Sequence, residues 1–573
     1  MRELSPSEVW SADFETTTDP NDCRVWLWGV EEVFTAERHW WTDIQSFVEF
    51  CEDHDKAKIY FHNLAFDGSF IIDYLLHNGY YHVPGKKALR KKNFHTLISR
   101  SGHFYSINVR WANGTRTEFR DSLKKIPLSV SNISEAFGIS EHKLEIDYDA
   151  PRPVGYKPTR EERLYLFADI TIVGQALRVE LEEGMTRLTV GADSLAEYKR
   201  TIGDKHFNTL FPILPLSMDA EIRQAYRGGW TIADDRFSKR IVGPGRSYDV
   251  NSLYPSVMYD RVLPYGMPIF AKGKPKEIEG YPLFITSITF TAKLKSDHVP
   301  CIQVKNSPSF VATKYQGDID NMVTMACTNV DLDLWNEHYD LDIISYNGTW
   351  YFKGAQGFFC QYIDKWMKVK IESEGGMRTI AKLHLNSLYG KFATNPDVTP
   401  KIPYLNEKGV VQLKVGEHEE RQPVYTAMGV FITAYARDVT IRAAQDNYDV
   451  FAYADTDSLH LMVEDDPDNL DIDSYRLGAW KHEMTYSKAM YVRAKCYTEL
   501  DVKPYDIENK GPRWTGDEGG ESYVTHIAGL PERIAKHVTF EDYTEDRSFG
   551  GKLLPKRVNG GIVLEQTRFK LNL

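Results

Sequence analysis

The chain has 573 residues, which is too many for one hydrophobic core, so we expect three or more domains. Hydrophobic residues make up 42% and aromatic residues 13% of it, which excludes a generally disordered protein. The net charge of -12 shows no basic footprint, and the six scattered cysteines form no CxxC pair, which argues against a zinc or disulfide framework. No signal-peptide pattern opens the chain and no apolar run approaches the roughly 20 residues that cross a bilayer, so we expect a soluble intracellular protein with no membrane partner.

The amino-terminal part of the chain, up to about Thr189, mixes strand-like and helical runs, as an α/β domain does. Asp13 and Glu15 fall two apart in a predicted strand and therefore share one of its faces. Asp67 follows the apolar run KIYFHNLAF, where we predict a loop. Tyr165 and Asp169 stand at i and i+4 on one face of a predicted helix.

These four carboxylates are predicted to converge from a strand pair, a loop and a helix. Hard cations prefer oxygen ligands, and two cations a few ångströms apart can clamp the attacking and the leaving oxygen of a phosphodiester. Tyr165 would then orient the attacking water. Taken singly, each pattern also fits residues without a catalytic role, because D-x-E arises by chance and Y-x-x-x-D is a common amphipathic pattern.

The middle of the chain has three distinct stretches. Residues 261–351 are punctuated by proline and glycine and favour β structure, whereas residues 363–391 contain no proline and predict a helical hairpin or helix pair. A further irregular stretch covers residues 394–425. We interpret the first and third stretches as insertions or subdomains.

The segment FAYADTDSLHLMV, residues 451–463, interrupts a strand-like run with Asp455, Thr456 and Asp457. The two carboxylates should point to one side of a strand or crowd together at a tight turn. Like charges held together resist ionisation unless a cation neutralises them, so the segment suggests a divalent metal. The alternative is a polar hairpin turn, since aspartate is a good turn residue.

Six motifs in order resemble those of a known family. DFETTT, YFHNLAFDG and Y-x-x-x-D resemble the exonuclease motifs of DEDD-type 3'-5' proofreading nucleases, in the tyrosine-containing subclass. DVNSLYPS (249–256), KLHLNSLYG (382–390) and YADTDS (453–458) resemble the three polymerase motifs of family B, or alpha-like, DNA polymerases. The resemblance implies an α/β multidomain protein with an RNase H-like exonuclease domain and a right-hand polymerase of palm, fingers and thumb.

The resemblance also implies the metal ligands and the catalytic residues. In the polymerase site, Asp249, Asp457 and the backbone carbonyl of Val250 would hold metal, with Asp455 as a further catalytic carboxylate. In the exonuclease site the ligands would be the four carboxylates named above, with Tyr165 catalytic beside them. The implied cofactor is Mg²⁺, two ions per active site, with Mn²⁺ able to substitute.

A group of residues is expected at the incoming deoxynucleoside triphosphate. Lys382, Asn386 and Tyr389 recur on one helical face, where the lysine would neutralise phosphate and the tyrosine would stack on the base pair. Lys370 resembles a second phosphate-binding lysine, and Tyr254 resembles the bulky residue that clashes with a 2'-hydroxyl and excludes ribonucleotides. Without the aspartates, a solvated helix and an ordinary aromatic core would be the preferred explanation of these residues.

Further motifs are expected to contact DNA. SLKK and KLEIDY resemble elements that grip single-stranded DNA in the exonuclease cleft, YRGGW resembles a template-binding element, and TAYAR and KCY resemble primer-binding motifs. The expected DNA-binding residues are Thr16, His62, Asn63, Phe66, Ser122, Leu123, Lys143, Tyr148, Tyr226, Gly228, Gly229, Thr433, Arg437, Lys495 and Tyr497.

Two long gaps separate the polymerase motifs, one between Asp249 and Lys382 and a shorter one between Gly390 and Asp455. They resemble the two insertions of the protein-primed polymerases of tailed phages. In that branch the first insertion contacts a terminal protein, which serves as the primer, and the second forms a ring around DNA with the thumb. The resemblance thus implies template and primer DNA, deoxynucleotides and a terminal protein as partners, in the cytoplasm of an infected bacterial host. The implied domains are an exonuclease domain, 1–189; palm, 190–260 and 427–529; insertion 1, 261–357; fingers, 358–393; insertion 2, 394–426; and thumb, 530–573.

Three other functions fit the sequence less well. A family B enzyme that extends ordinary primers is disfavoured by the insertion lengths, although only modestly. A nuclease with a degenerate polymerase half is disfavoured by the intact Asp249, Lys382, Asp455 and Asp457. A non-catalytic DNA-binding protein would have no need for two complete sets of carboxylates.

Overall fold

A computed structural model describes residues 9–85, 88–304, 314–501, 522–544 and 547–571. Within these ranges, no helix is both long enough and apolar enough to cross a membrane. The predicted domain boundaries stay predictions. The proposed exonuclease domain, first insertion, second palm segment and thumb each extend onto residues outside the described ranges.

The amino-terminal region is built on an eight-stranded mixed sheet in the order β3-β2-β1-β4-β8-β7-β6-β5. Its strands are β1 (Val9–Thr16), β2 (Val25–Glu32), β3 (Arg38–Trp41), β4 (Ala57–Phe61), β5 (Tyr81–His82), β6 (Asn93–Ile98), β7 (Phe104–Arg110) and β8 (Arg116–Asp121). Its helices are α1 (Ile44–Asp53), α2 (Leu64–His77), α3 (Val130–Phe137) and α4 (Arg160–Glu182). Thr159 and Glu162 close a capping box that fixes where α4 begins. The predicted α/β organisation of this region is confirmed.

A helical linker leads from this region into a second sheet. The linker helices are α5 (Val190–Ile202), α6 (Asp204–Leu210) and α7 (Leu216–Arg223). They are followed by β9 (Thr231–Ala233), β10 (Ile241–Val242), β11 (Gly245–Val250) and α8 (Leu253–Asp260). The β-leaning stretch follows as β12 (Leu263–Ala271), β13 (Leu283–Leu294), β14 (Asp318–Thr328), α9 (Asn329–His338) and β15 (Tyr339–Ala355). Its four strands form a sheet of their own, in the order β12-β15-β13-β14.

The predicted helix pair is confirmed as α10 (Cys360–Glu372) and α11 (Gly375–Phe392). The stretch that we expected to be irregular, 394–425, instead contains a regular antiparallel hairpin, β16 (Lys401–Leu405) and β17 (Val411–Val415). The long helix α12 (Thr426–Asp446) follows, and it is buried over most of its surface because its sequence is rich in alanine, valine and isoleucine.

The carboxyl-terminal part of the chain, from Phe451 onward, completes the second sheet and adds two more. Its elements are β18 (Phe451–Asp455), β19 (Ser458–Leu461), β20 (Trp480–Tyr486), β21 (Lys488–Arg493), β22 (Cys496–Asp501), β23 (Ser522–Ile527), α13 (Glu532–Ala535), β24 (Ser548–Val558) and β25 (Gly561–Lys570). A five-stranded sheet has the order β20-β11-β19-β18-β9, a four-stranded sheet the order β10-β21-β22-β23, and β24 pairs with β25. The five-stranded sheet therefore joins strands from two distant parts of the chain.

Candidate active sites

The first candidate site lies where β1, α2 and α4 meet. Asp13 and Glu15 project from β1, whose parallel neighbour β4 leads directly into α2. Asp67 lies in the first turn of α2, so the predicted loop position was wrong. Tyr165 and Asp169 stand on α4, which packs against β1. All five side chains line one cavity of about 850 Å³, so the predicted convergence is observed.

The carboxyls of this cavity are buried together, which disfavours their charged forms. Burial, followed by the nearby Asp169, raises the pKa of Asp13 to about 7. The pKa values of Glu15 and Asp67 are raised well above their usual values, first by burial and then by Asp13. Crowded carboxyls of this kind favour a bound cation, which would stabilise their ionised forms.

Lys143 and Tyr148 contact this cluster. Lys143 Nζ forms an ion pair with Asp169 Oδ2, and the Tyr148 and Tyr165 hydroxyls are hydrogen-bonded at 2.5 Å. Burial raises the pKa of Tyr165, which therefore stays a neutral hydroxyl that can hold a water.

The cavity offers oxygen atoms to a cation. Among the residues that the structure describes, Oδ1 of Asp67 and Oδ1 of Asp169 are buried and have no hydrogen-bond partner. Carboxylate oxygens are the ligands that Mg²⁺ and Ca²⁺ prefer, so the donor set fits divalent metal. Over the same described ranges, no group of three or more His, Cys, Asp or Glu side chains is arranged so that it could hold a metal ion as it stands, in this cavity or elsewhere.

Most of the expected DNA-binding residues of this half surround the cavity. Its lining includes Thr16, His62, Asn63, Phe66, Lys143 and Tyr148. His62 Nδ1 lies 3.0 Å from Ser122 Oγ, which itself donates to the Phe61 carbonyl, so Ser122 is buried beneath the wall. The Leu123 amide is held 3.0 Å from Asp121 Oδ1. Direct DNA contacts by these residues stay predictions.

Part of the cavity wall comes from the far end of the chain, which no motif led us to expect. Side chains of the β24–β25 hairpin contribute to its lining: Leu553, Pro555, Ile562, Val563 and Leu564. The apolar residues of these two strands do not indicate, from the sequence alone, which distant segment of the chain they pack against.

The second candidate site is a tight turn beside β11. Asp249 lies in β11 and pairs with Ser458 of β19, while Asp455 ends β18 and pairs with the same serine. Asp457 lies in the turn between β18 and β19, so the two aspartates of the segment crowd at a turn. Thr456 adopts a left-handed conformation with φ of 63°, and its main chain is held by Trp230 and Thr440.

Hydrogen bonds and a glycine keep this turn in place. The Asp457 amide donates to the Asp455 carbonyl at 2.7 Å, and the Val250 amide donates to the Asp457 carbonyl at 2.8 Å. A Cβ atom on Gly229 would lie 2.5 Å from Thr456 Oγ1. The turn therefore requires glycine at position 229, which gives that residue a structural role besides the expected one at DNA.

The three aspartates differ in their surroundings. Burial, followed by the charge of Asp457, raises the pKa of Asp249 to about 8. Burial, followed by Asp455, also raises the pKa of Asp457, although its own amide opposes this. Asp455 is instead paired, because Lys495 Nζ lies 2.8 and 2.9 Å from its two oxygens and Thr231 Oγ1 donates at 2.9 Å. Burial and a neighbouring carboxylate thus raise the pKa values of both members of the pair expected to hold metal, Asp249 and Asp457.

Cationic and aromatic side chains face this turn from α10, α11 and α8. Lys382, Asn386 and Tyr389 lie on α11, as predicted. Lys370 of α10 donates to Ser252 Oγ at 3.0 Å. Burial and neighbouring cations lower the pKa values of Lys370 and Lys382, so a bound anion would stabilise both charges. The ring of Tyr254 stacks on that of Tyr389 with centroids 4.0 Å apart.

The expected template and primer residues divide into buried and accessible sets. Arg437 is buried, donates to the carbonyls of Arg227 and Gly228 at 3.0 Å, and pairs with Asp331 at 2.6 Å. Arg437 therefore holds the main chain of the Tyr226–Gly229 segment from the buried side of that segment. Thr433 is buried, and its hydroxyl lies 3.1 Å from the Gly429 carbonyl. For both residues a direct contact with primer stays a prediction.

The KCY segment adjoins the turn. Lys495 is half exposed, with its side chain 58% accessible, and reaches Asp455 as described. Tyr497 packs among aromatic rings, with its centroid 4.7 Å from that of Tyr453 and 5.0 Å from that of His526. The segment thus contacts strand β18 through an ion pair and a ring contact.

Comparisons with known proteins assign the family. The family model for DNA polymerase type B, organellar and viral, matches residues 51–163 and 151–474. The chain is 42% identical to the DNA polymerase of Bacillus phage phi29 over 576 residues, covering 99% of both chains. It is 32% identical to the DNA polymerase of Streptococcus phage Cp-1, covering 98% of both.

Solved structures agree with this assignment. Phi29 DNA polymerase complexed with primer-template DNA and incoming nucleotide substrates matches with a TM-score of 0.92 and 41% identity, over 99% of this chain and 100% of that one. Phi29 DNA polymerase complexed with single-stranded DNA also matches with a TM-score of 0.92. The predicted fold class, a multidomain α/β protein with exonuclease and polymerase domains, is confirmed. The chain belongs to the type B DNA polymerases of organelles and viruses and is a DNA polymerase, as its motifs predicted.

Proposed function

We propose that the chain is a replicative DNA polymerase of a tailed bacteriophage that primes on a terminal protein and proofreads with a 3'-5' exonuclease. The carrying observation is the presence of two separate carboxyl clusters, one around Asp13 and one around Asp249, in which burial and crowding raise the pKa values. Each cluster lies beside groups suited to a different reaction.

For nucleotide addition, Asp249 and Asp457 would bind divalent cation, for which we propose Mg²⁺ with Mn²⁺ as a substitute. Bound divalent metal supplies a lowered pKa at the primer 3'-hydroxyl and neutralises charge on the departing pyrophosphate. Lys370 and Lys382 would neutralise the triphosphate, because burial and neighbouring cations disfavour the charge of each lysine until an anion binds.

Substrate selection at this site would depend on the stacked tyrosines. Tyr254 would lie under the sugar and clash with a 2'-hydroxyl, while Tyr389 would stack on the new base pair. Their contact at 4.0 Å makes each ring a support for the other. The proposed substrates are deoxynucleoside triphosphates and a primer-template duplex, since primer-template DNA and incoming nucleotide substrates are the ligands named for the phi29 structure.

For degradation, Asp13, Glu15, Asp67 and Asp169 would bind the cations, and Tyr165 would orient the attacking water. The hydrogen bond between the Tyr148 and Tyr165 hydroxyls and the ion pair between Lys143 and Asp169 hold this side of the cavity in place. The lining of the cavity, with the exposed ring of Tyr148, suits an unpaired 3' end that stacks on aromatic rings.

Terminal-protein priming is proposed from the two insertions. The β12–β15 sheet exposes apolar side chains, among them Met267, Phe270 and Met322, which suit a protein partner. The β16–β17 hairpin contacts both α2 and the β24–β25 hairpin, an arrangement that suits a ring around DNA and strand displacement. Since the two relatives named above are phage proteins, we propose that the enzyme acts in the cytoplasm of an infected bacterium.

The test uses purified protein, a labelled recessed primer, Mg²⁺ and a long downstream duplex, with and without deoxynucleotides. Extension through the duplex and shortening without nucleotides are expected. Shortening alone would refute polymerisation by this chain. Protein priming is tested by adding the candidate terminal protein and one labelled deoxynucleotide. A label that stays on that protein through denaturing electrophoresis is expected, and extension of ordinary primers without any protein labelling would favour the alternative.

A further inference from the structure

Glu197 of the linker helix α5 contacts both helices that carry the proposed nucleotide-binding residues. Its Oε1 accepts an ion-paired hydrogen bond from Lys365 Nζ of α10. Its Oε2 lies 3.3 Å from His384 Nδ1 of α11. Glu197 and His384 are buried, so these contacts are shielded from water.

The contacts around His384 form a packed network. Tyr362 of α10 donates to the His384 carbonyl at 3.1 Å and lies 3.3 Å from its Nδ1. The Trp366 ring packs on the imidazole with centroids 4.3 Å apart, and Lys365 Nζ lies 4.6 Å from the Trp366 ring centre. Burial disfavours the charge of Glu197, yet the bonds from His384 and Lys365 outweigh it and hold its pKa below the usual value.

His384 points into the protein core, on the side of α11 opposite to the proposed nucleotide-binding residues. Lys382 and Asn386, two residues to either side, are exposed, whereas His384 is 1% exposed. A change at His384 is therefore transmitted to the proposed nucleotide face through the helix itself, without any contact with the nucleotide. No motif quoted above includes Glu197 or Lys365, and within KLHLNSLYG a role was expected for Lys382, Asn386 and Tyr389 but not for His384.

The same helix α5 is anchored to the amino-terminal region one turn earlier. Asp193 Oδ2 accepts from Lys125 Nζ at 2.6 Å, and Lys125 also pairs with Glu180 of α4 at 3.0 Å. All three side chains are buried. Asp193 and Glu197 stand at i and i+4, so α5 joins a fixed charge cluster on one side to the helix pair α10–α11 on the other.

We propose that Glu197 is a positioning residue that clamps α10 and α11 to α5 and so preorganises the nucleotide-binding face of α11. This inference rests on the proposed function, because it assigns α11 to nucleotide binding. A preorganised face binds its ligand without first paying the entropy of ordering two helices, so the clamp should act on nucleotide affinity. The chemical step, which depends on the carboxyl cluster around Asp249, should be little affected.

The test is single-nucleotide incorporation by Glu197→Gln, which keeps the shape of the side chain but loses its charge. We expect KM for the deoxynucleotide to rise about tenfold, as the loss of charge-assisted hydrogen bonds implies, with kcat within about twofold of wild type. Degradation of single-stranded DNA should be unchanged. A merely structural role would instead lower the melting temperature without separating KM from kcat.

Glu162→Gln is the matched control. Glu162 is as buried as Glu197 and also pairs with a cation, Arg152 at 3.0 Å. It lies in the first turn of α4, where its other carboxylate oxygen accepts from Tyr156, so its contacts hold the amino-terminal region and not α10 or α11. The control should lose comparable stability and leave KM for the nucleotide unchanged. Equal KM values for the two variants would overturn the proposal.

Lys365→Met provides an independent arm, because its side chain is 54% exposed and its loss should not prevent folding. We expect a smaller rise in KM, about threefold, and no further rise when it is added to Glu197→Gln, since both changes break one contact. If the increases in KM from Lys365→Met and Glu197→Gln were additive in the double variant, the proposed clamp would be overturned. An inactive wild-type enzyme would refute the proposed function instead, which is a distinct outcome from an active enzyme with an unmoved KM.

Discussion

Replacing Asp457 by asparagine should have opposite effects on activity and on stability. Asp457 is proposed to hold metal, so Asp457→Asn should reduce nucleotide incorporation about a thousandfold or more, while degradation of single-stranded DNA persists. In metal-free buffer, however, the same change removes a negative charge that disfavours ionisation of Asp249. The metal-free variant should therefore be more stable than wild type at alkaline pH.

The size of the stabilisation follows from the repulsion between the two carboxylates. Unit charges about 5 Å apart repel by about 3 kcal/mol at an effective dielectric of about 20, and partial exposure reduces this to about 1–2 kcal/mol. The pKa of Asp249 in the folded protein, about 8, lies above its usual value of 3.8, so the folded state binds the extra proton. The resulting stability is fully present below pH 3.8 and is lost as the pH rises through the folded value of about 8. The Asp457→Asn variant should lose less folding stability than wild type as the pH rises from 3.8 to about 8.

The measurement is thermal unfolding in EDTA between pH 5 and 9, with incorporation and degradation assayed in Mg²⁺. The expected gain at pH 9 is about 2 °C. Asp455→Asn is the matched control, because Asp455 is paired with Lys495 and its neutralisation should destabilise the protein. A metal-free Asp457→Asn protein that is less stable than wild type at pH 9 would refute the proposed repulsion.

Four other changes test the proposed sites. Asp13→Ala should abolish 3'-5' shortening and leave incorporation within about twofold, and loss of both activities in a folded protein would contradict two separate sites. Burial raises the pKa values of Asp13 and Asp169 and Lys143 opposes this, so Lys143→Met should move the acidic limb of the exonuclease pH profile to higher pH, and an unmoved limb would exclude this electrostatic role. Tyr254→Val should admit ribonucleotides in incorporation assays, and unchanged discrimination would remove Tyr254 as the steric gate. Deleting residues 394–426 should reduce strand displacement and processivity more than single-nucleotide addition, whereas equal losses would indicate a structural segment.

The carboxyl clusters could be predicted because their spacing in the sequence carries geometric information. Residues two apart in a strand and four apart in a helix share a face whatever the rest of the fold does. The turn at Thr456 was less predictable, since a β-branched residue rarely adopts a left-handed conformation. The helical position of Asp67 was missed because α2 begins almost directly after β4, with Asn63 in a left-handed conformation before its first residue.

Contacts between distant segments lay beyond sequence reasoning. The wall that the β24–β25 hairpin contributes to the exonuclease cavity depends on tertiary packing alone. The clamp at Glu197 was equally hidden, because a charged residue in an amphipathic helix normally indicates a solvated face. The supporting role of Arg437 was obscured by its motif, which pointed to DNA and not to the buried Asp331.

The division of the five-stranded sheet between two parts of the chain bears on how the protein folds during synthesis. The strands of the eight-stranded sheet all lie within residues 9–121, so it can form early. By contrast, β11 ends at Val250, whereas β18 begins only at Phe451. At a translation rate of about 5–20 residues per second, synthesis of the intervening stretch of roughly 200 residues takes about 10–40 seconds, so β18 becomes available to the sheet that long after β11. Asp13, Glu15, Asp67 and Asp169 can therefore come together while the proposed polymerase site still lacks Asp455 and Asp457, whereas the cavity around the first cluster gains its β24–β25 wall only at the end of synthesis.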